Sequence, residues 1–248
     1  MKIYRAVYSI ALSLLLLGCA AIPVQAESPA PAIDADLEKK VIEIIRKNPE
    51  AILDAIQRYR QAEQAKAIQA QQAALKKLTA NPKAAIAASP TYGNGKLLLI
   101  EFSDFQCPYC ASARKNLKQF VDQNPGRVKL VYKHFPLTQI HNEALPAAKA
   151  SWAAQQQGKF WEYHDALFDQ QKNLSEATYQ AIAKTLKLDL AKFDRDRRSE
   201  QAAKAVTTDQ ALGEDLGVEG TPFMVFNGEA LSGAVPVAEL EKRLANAK

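Results

Sequence analysis

Cysteine and histidine are scarce in this sequence, with three residues of each type among 248. A structural zinc site needs about four such ligands, usually two cysteine pairs or one pair with two closely spaced histidines. The histidines, at positions 134, 141 and 164, do not follow that pattern. The scarcity of both residue types therefore argues against a structural zinc site.

An excess of charge of one sign is also lacking. Residues 1–26 hold two basic and no acidic side chains, and the rest of the chain holds 30 Lys and Arg against 27 Asp and Glu. The remaining net charge of +3 is too small to indicate a nucleic acid or an anionic surface as a partner.

The first 26 residues have the pattern of an export signal. Lys2 and Arg5 precede an apolar stretch over 6–18, and residues 24–26 end in the small-residue pattern of a signal-peptidase site. An alternative is lipoprotein cleavage before Cys19, because residues 16–19 resemble a lipobox in which Cys19 is acylated. Both alternatives predict a periplasmic or otherwise exported protein, in the second case anchored to lipid through Cys19.

Cys107-Pro108-Tyr109-Cys110 contains the two cysteines that remain after export. The apolar run 96–102 is typical of a strand, and residues 111–121 have helical composition and spacing. Helix N-termini favour negative charge, so we expect Cys107 to ionise readily, with Cys110 as the buried resolving thiol. A stabilised thiolate favours the dithiol form and gives an oxidising disulfide. The alternative is an inert disulfide.

Residues 34–79 are rich in Ala, Gln, Lys and Glu and contain one proline and no glycine, which predicts a helical segment within 27–87. Asn48 as an N-cap and Pro49 in a first turn predict that one helix ends before Pro49 and another begins there. Apolar residues recur at helical spacing in both helices: Leu37, Val41, Ile44, Ile45, Ile52, Leu53, Ile56 and Tyr59.

This apolar stripe either packs on the catalytic domain of the same chain or mediates self-association. The segment continues through Ala- and Gln-rich residues to Leu75 and Leu78, like a stalk. We therefore expect a homo-oligomer formed through residues 34–80.

Residues 88–248 are long enough for one further domain. Sequence patterns predict strands at 128–133, 223–227 and 230–233, a largely helical stretch over 144–212, and a final helix from Pro236. Two pieces of α/β sheet thus flank a block of helices.

Three stretches resemble the DsbA-like thiol:disulfide interchange proteins of the thioredoxin superfamily, in the exported branch with an N-terminal helical oligomerisation segment. They are EFSDFQCPYC at 101–110, QGKFWEYHDALF at 157–168 and GTPFMVFNG at 220–228. The resemblance covers residues 90–248. It implies an α/β, thioredoxin-like fold with a helical domain inserted at about 138–212, preceded by the N-terminal helical segment.

The resemblance also implies roles for residues around the cysteine pair. Thr221-Pro222 is expected to be a cis peptide facing the disulfide, which leaves the Thr221 backbone free to pair with a substrate. Pro108 and Tyr109 are expected to contact substrate. Glu101 stands where related proteins hold a buried acid that exchanges protons with the resolving thiol. A surface or edge position is the alternative for Glu101, because strand alternation does not reveal its face.

These features together predict a protein thiol:disulfide oxidoreductase that needs no cofactor and introduces disulfides into exported proteins. Its partners would be unfolded or misfolded cysteine-containing proteins and a membrane or periplasmic redox partner. An oligomeric isomerase or reductase using the same cysteines is the alternative. A Cu(I) carrier is a third option, which the sequence supports only through the softness of two thiolates.

Overall fold

Five strands form one mixed sheet in the computed structural model, which describes residues 34–247. The strands are β1 (Thr91–Tyr92), β2 (Leu97–Ser103), β3 (Val128–His134), β4 (Phe223–Phe226) and β5 (Glu229–Ser232). Their order across the sheet is β1-β3-β2-β4-β5, with β2 and β3 parallel and the other neighbours antiparallel. The four predicted strands are confirmed to within one residue at each end, whereas β1 has no counterpart in the predictions. The predicted signal peptide and Cys19 lie outside the described residues.

Helices precede, interrupt and follow these strands within residues 34–247. They are α1 (Ala35–Lys47), α2 (Pro49–Ala80), α3 (Pro82–Ile86), α4 (Pro108–Gln123), α5 (Ala144–Gln155), α6 (Phe160–Asp169), α7 (Glu176–Thr185), α8 (Leu190–Arg197), α9 (Glu200–Asp215) and α10 (Val237–Asn246), with a 3-10 turn at Gln171–Asn173. Helices α5 to α9 lie between β3 and β4 in the chain. The predicted α/β architecture with an inserted helical block and a preceding helical segment is confirmed.

The chain divides into two units between Ile56 and Gln57, within α2. In the first unit, the Asp34 carboxylate caps α1 by accepting from the Asp36 N–H at 3.0 Å. The predicted break before Pro49 is confirmed. Asn48, however, was expected to cap the start of α2, and its side-chain amide instead donates to the Ile44 carbonyl at 2.8 Å and caps the end of α1.

The last turns of α2 belong to the second unit and pack on the sheet. Leu78 is buried in a cluster with Ile100 and Val225, and Leu75 packs against the same cluster. The Gln71 side chain donates to the Leu216 carbonyl at 2.9 Å. The prediction of a stalk that continues to Leu75 and Leu78 is therefore wrong, because these residues cover a face of the sheet.

The opposite face of the sheet supports the cysteine motif. Alternate residues of a strand point to opposite faces, so Leu99 and Glu101 face away from the side covered by α2. Leu99 packs with residues of α4 and α10. Tyr132, the neighbour of Glu101 on β3, packs with Cys110 and with the inserted helices. The start of α4 is thus held between the ends of β2 and β3 and the helical block.

Candidate active site

Cys107 is the N-cap residue of α4, directly before Pro108 in the first turn. Proline suits this position because its fixed φ fits the helix and no donor is needed there. The Cys107 N–H donates to the Asp104 carbonyl at 3.1 Å, and the Cys107 carbonyl accepts from the Cys110 N–H at 3.1 Å. Both cysteines are free thiols. The predicted placement of the pair at a strand-to-helix junction is confirmed.

Donors around the Cys107 sulfur lower the pKa of its thiol from 9.0 to about 5. The largest cause is the hydrogen bond from the Cys110 thiol. The Thr221 hydroxyl and the N–H groups of Cys110 and Tyr109 act in the same direction, and burial opposes them. Cys107 is therefore a thiolate at neutral pH, which is the reactive form of cysteine.

Cys110 lies one helical turn further in and is fully buried. Burial raises the pKa of its thiol well above the ordinary value, and the neighbouring Cys107 and Glu101 act in the same direction. The two thiols thus differ strongly in acidity. This is the asymmetry expected of an attacking and a resolving cysteine.

The Thr221–Pro222 peptide bond is cis and lies beside the cysteine pair, as the resemblance implied. The Thr221 carbonyl oxygen is 3.2 Å from the Cys107 sulfur. The Thr221 hydroxyl is buried and makes no hydrogen bond of ordinary geometry within residues 34–247. It nevertheless lowers the pKa of the Cys107 thiol as a hydrogen-bond donor to the sulfur.

Glu101 lies inside the molecule, between Tyr132 on β3 and Met224 on β4. Its side chain is buried, and its Oε1 has no hydrogen-bond partner among the described residues. Burial is the main cause that raises the pKa of this carboxyl from 4.5 to about 7; the charge of Cys107 adds to it and the Ser103 hydroxyl partly offsets it. Of the two positions that the sequence left open, Glu101 occupies the buried one.

Pro108 and Tyr109 are both exposed next to the buried Cys107, and 67% of Tyr109 is accessible to solvent. A large aromatic ring at this position offers apolar contact area to a chain that approaches the sulfur. Their predicted role in substrate contact remains a prediction.

Two polar residues that the sequence did not single out hold the loop before Cys107. The buried Asp104 carboxylate accepts from the N–H groups of Gln106 (2.7 Å) and Leu137 (2.9 Å) and lies 2.8 Å from a ring nitrogen of His141. Gln171 donates to the carbonyl of Cys107 at 2.9 Å. An Asp two residues before a turn N–H is a known signal of an Asx turn, whereas nothing local indicates Gln171.

His134 and His164 are buried within a cluster of aromatic rings around Tyr132. Burial lowers the pKa of His134 to about 4 and also lowers that of His164. Both imidazoles are therefore neutral at pH 7.

Comparison with known proteins identifies a family that covers most of residues 57–248, the second of the two units. Residues 98–245 match the model of the family described as DSBA-like thioredoxin domain. A thioredoxin-like oxidoreductase from Silicibacter pomeroyi DSS-3 superimposes with a TM-score of 0.59 at 31% sequence identity, covering 65% of this chain and 92% of that one. Proteus mirabilis ScsC in a transitional conformation superimposes with a TM-score of 0.60 at 27% identity, covering 86% of this chain and 100% of that one.

Part of a much longer protein, an antiporter, is also similar in sequence to this chain. The Na(+)/H(+) antiporter NhaA 3 of Salinispora tropica is 36% identical over 155 residues, which are 59% of this chain and 24% of that protein. The chain thus matches about a quarter of the length of this relative. Among residues 34–247, no helix combines the length and the apolar character needed to cross a membrane.

Proposed function

The chain belongs to the family of DSBA-like thioredoxin domains, and from this premise we propose that it catalyses thiol–disulfide exchange on cysteine-containing exported proteins. One observation carries the proposal: Cys107 is a low-pKa thiol at a helix N-terminus, 3.2 Å from the carbonyl oxygen of a cis-proline turn. A substrate strand that pairs with the Thr221 backbone would bring its own cysteine next to this sulfur.

The favoured direction is the formation of disulfides. A substrate thiolate attacks the Cys107 sulfur of the Cys107–Cys110 disulfide, and Cys110 leaves with the electron pair and takes a proton. A second substrate thiolate then attacks the substrate sulfur of the mixed disulfide and releases Cys107 as a thiolate. The low pKa makes Cys107 a good leaving group. The substrate loses two electrons, and a membrane or periplasmic redox partner reoxidises the cysteine pair.

The test follows disulfide formation in a reduced, unfolded protein that has one cysteine pair. Cys107→Ser and Cys110→Ser should both abolish the reaction, because neither variant can form the Cys107–Cys110 disulfide. With a substrate that already holds a disulfide, Cys107 of the reduced Cys110→Ser protein should attack that bond and trap a mixed disulfide, visible on a non-reducing gel. The reduction potential is measured in parallel against glutathione. A Cys107→Ser protein with undiminished activity would refute the proposal, and a strongly reducing potential would refute the oxidase direction.

A second candidate function, disulfide isomerisation by a homo-oligomer, rests on a separate observation. The apolar residues of α1 and of the first turns of α2 are exposed, for example Ile44 at 61% and Leu53 at 60%. Exposed apolar surface of this kind is typical of an association site. The test combines the molecular mass in solution with reactivation of a protein that contains scrambled disulfides. A monomer at micromolar concentration would contradict this candidate.

Export completes the proposal. The amino-terminal 26 residues would be removed as a signal peptide, with lipid attachment at Cys19 as the alternative. Mass spectrometry of the protein recovered from the producing cell distinguishes the two, because only a lipoprotein keeps Cys19 and carries acyl chains.

A further inference from the structure

Two neighbouring parallel strands place four polar side chains on one buried face. The register pairs Glu101 with Tyr132 and Ser103 with His134, and alternate residues of each strand share a face. At most 2% of any of the four residues is exposed. Tyr132 packs in the same cluster as Cys110, and Glu101 and Ser103 also act on the Cys110 thiol, so these three side chains lie beside the resolving thiol.

These side chains have unused hydrogen-bonding capacity. Glu101 Oε1, Ser103 Oγ, the Tyr132 hydroxyl and both ring nitrogens of His134 have no partner among the described residues. Most buried polar groups in proteins have a hydrogen-bond partner, from the protein or from ordered water. Several such groups together, next to a thiol that must gain and lose a proton, call for a functional explanation.

His164 links this cluster to the surface. Its Nδ1 lies 2.9 Å from the carboxylate of Asp165, which lines an open cleft with Lys118. Its Nε2 is buried and has no hydrogen-bond partner within residues 34–247. Its ring lies 5.2 Å from the Tyr132 ring, measured between centroids. Because a carboxylate only accepts, the hydrogen of neutral His164 is assigned to Nδ1, and Nε2 is an acceptor. The Tyr132 hydroxyl is the donor that could reach it through an ordered water, because neither atom has a direct partner among residues 34–247.

We propose that Tyr132 and His164 relay protons between Glu101, beside Cys110, and the protein surface at Asp165. The relay deepens the proposed exchange function and rests on it. Tyr132 and His164 are positioning residues, because each acts on the Cys110 thiol only through Glu101. The connection between the Tyr132 hydroxyl and His164 Nε2 runs through ordered water, because the two atoms do not form a hydrogen bond with each other.

The proton moves outward when the cysteine pair is reoxidised. Glu101 takes the proton of the Cys110 thiol, and the Cys110 thiolate attacks Cys107 in the mixed disulfide, so that the Cys107–Cys110 bond forms and the partner leaves as a thiolate. Glu101 passes its proton to the Tyr132 oxygen as Tyr132 gives its own to the ordered water, which in turn gives a proton to His164 Nε2. The Nδ1 proton of His164 then leaves through Asp165 to water. One proton is transferred from Cys110 to solvent, and the reverse sequence protonates Cys110 when it is the leaving group.

His134 provides a natural control for His164. Both rings are buried and both contact the Tyr132 ring, with centroids 5.1 Å apart for His134. His134 has no hydrogen-bonded exit, because both of its ring nitrogens lack partners in the described part of the chain. The titratable groups that face Glu101 and Tyr132 are Cys107, Cys110, Asp104, His134 and His164.

The test follows the two thiol steps separately in the full-length reduced protein. An aromatic disulfide reagent releases one coloured thiolate when Cys107 attacks it and a second one when Cys110 closes the disulfide. We expect Tyr132→Phe and His164→Phe to slow the second release by roughly a hundredfold, the lower end of the range of general acid–base catalysis. The first release, the pKa of Cys107 and both releases in His134→Phe should not change. Phenylalanine keeps the ring packing in all three variants.

Each other outcome overturns the relay. An unchanged second release in Tyr132→Phe removes the hydroxyl from the mechanism, and equal slowing in all three variants shows a packing defect. Wild-type protein gives a test without any substitution, since equal rates of the second release in H2O and D2O would exclude a rate-limiting proton transfer and overturn the relay. If wild-type Cys107 releases no thiolate at all, the proposed exchange function fails as well, which the first release reveals separately.

Discussion

At the scale of single residues, the acidity of Cys107 depends on a few donors whose contributions can be separated. The Thr221 hydroxyl is the second largest of the causes that lower the pKa of this thiol to about 5. Thr221→Val keeps the shape of the side chain and removes the hydroxyl. We expect the midpoint of thiolate formation, followed by ultraviolet absorbance, to move upward in this variant. Ser112→Ala, which removes an exposed hydroxyl from the same helix turn, should leave the midpoint unchanged.

Glu101 makes a different prediction, on stability. Burial raises its folded pKa from 4.5 to about 7, so between these values the folded protein binds more protons than the unfolded chain. The free energy of unfolding must then fall as the pH rises through this window. Glu101→Gln removes that contribution. We expect the reduced variant to gain about 1–3 kcal/mol relative to the reduced wild type between pH 4.5 and about 7.

Urea unfolding at several pH values measures this difference. Both proteins are compared in the reduced form. The titration of Cys107 then contributes to the free energy of unfolding of both, and the difference between them reports on Glu101. A difference between them that does not change with pH would mean that Glu101 titrates alike in the folded and unfolded states, which contradicts its burial.

The sequence predicted the cysteines and the cis proline of this site better than it predicted their surroundings. Cys107 and Thr221 belong to local motifs, which need no knowledge of strand register. The face occupied by Glu101 follows from its pairing with Tyr132 and Met224, on strands far away in the sequence. Tyr132 itself lies in an apolar strand, where a tyrosine is expected to be a packing residue of the core. Its polar neighbours Glu101 and His164 come from distant parts of the sequence, so the sequence does not indicate another role.

At the scale of secondary structure elements, the end of α2 forms part of the fold that carries the site. Leu78 is 7% exposed and packs with residues of β2 and β4. We expect Leu78→Ala to lower the free energy of unfolding by about 2–4 kcal/mol, as for other buried leucines. Ile68→Ala changes a residue of the same helix that is 47% exposed, and it should cost much less. Denaturant unfolding of both variants checks this, and equal losses would contradict the packing of Leu78.

The same helix shows what periodicity can and cannot predict. Helical spacing correctly located α1 and α2 and the break at Pro49. It did not distinguish Leu78, which is covered by the sheet, from Leu53, which is exposed. Leu53 belongs to the predicted apolar stripe and Leu78 to the Ala- and Gln-rich continuation after it, and only the tertiary contacts decide what each of them covers.

At the scale of the whole molecule, the remaining question is whether copies of the chain work together. Ile45 and Leu53 are 46% and 60% exposed, so burying the accessible part of each side chain in an interface would favour association by about 1–2 kcal/mol each. A charge at such an interface opposes association because it would have to be desolvated.

We therefore expect the double variant Ile45→Lys and Leu53→Lys to be monomeric under conditions in which the wild type is an oligomer, as measured by light scattering. It should still oxidise a reduced substrate, because Cys107 and its neighbours are unchanged, but it should lose most of its ability to reactivate a protein with scrambled disulfides. Gln64→Lys, which adds one charge at an exposed polar position of α2, should alter neither property. A double variant with the mass of the wild-type oligomer would show that these apolar residues do not form the interface. A monomeric variant that keeps full reactivation would show that isomerisation does not need more than one copy of the cysteine pair.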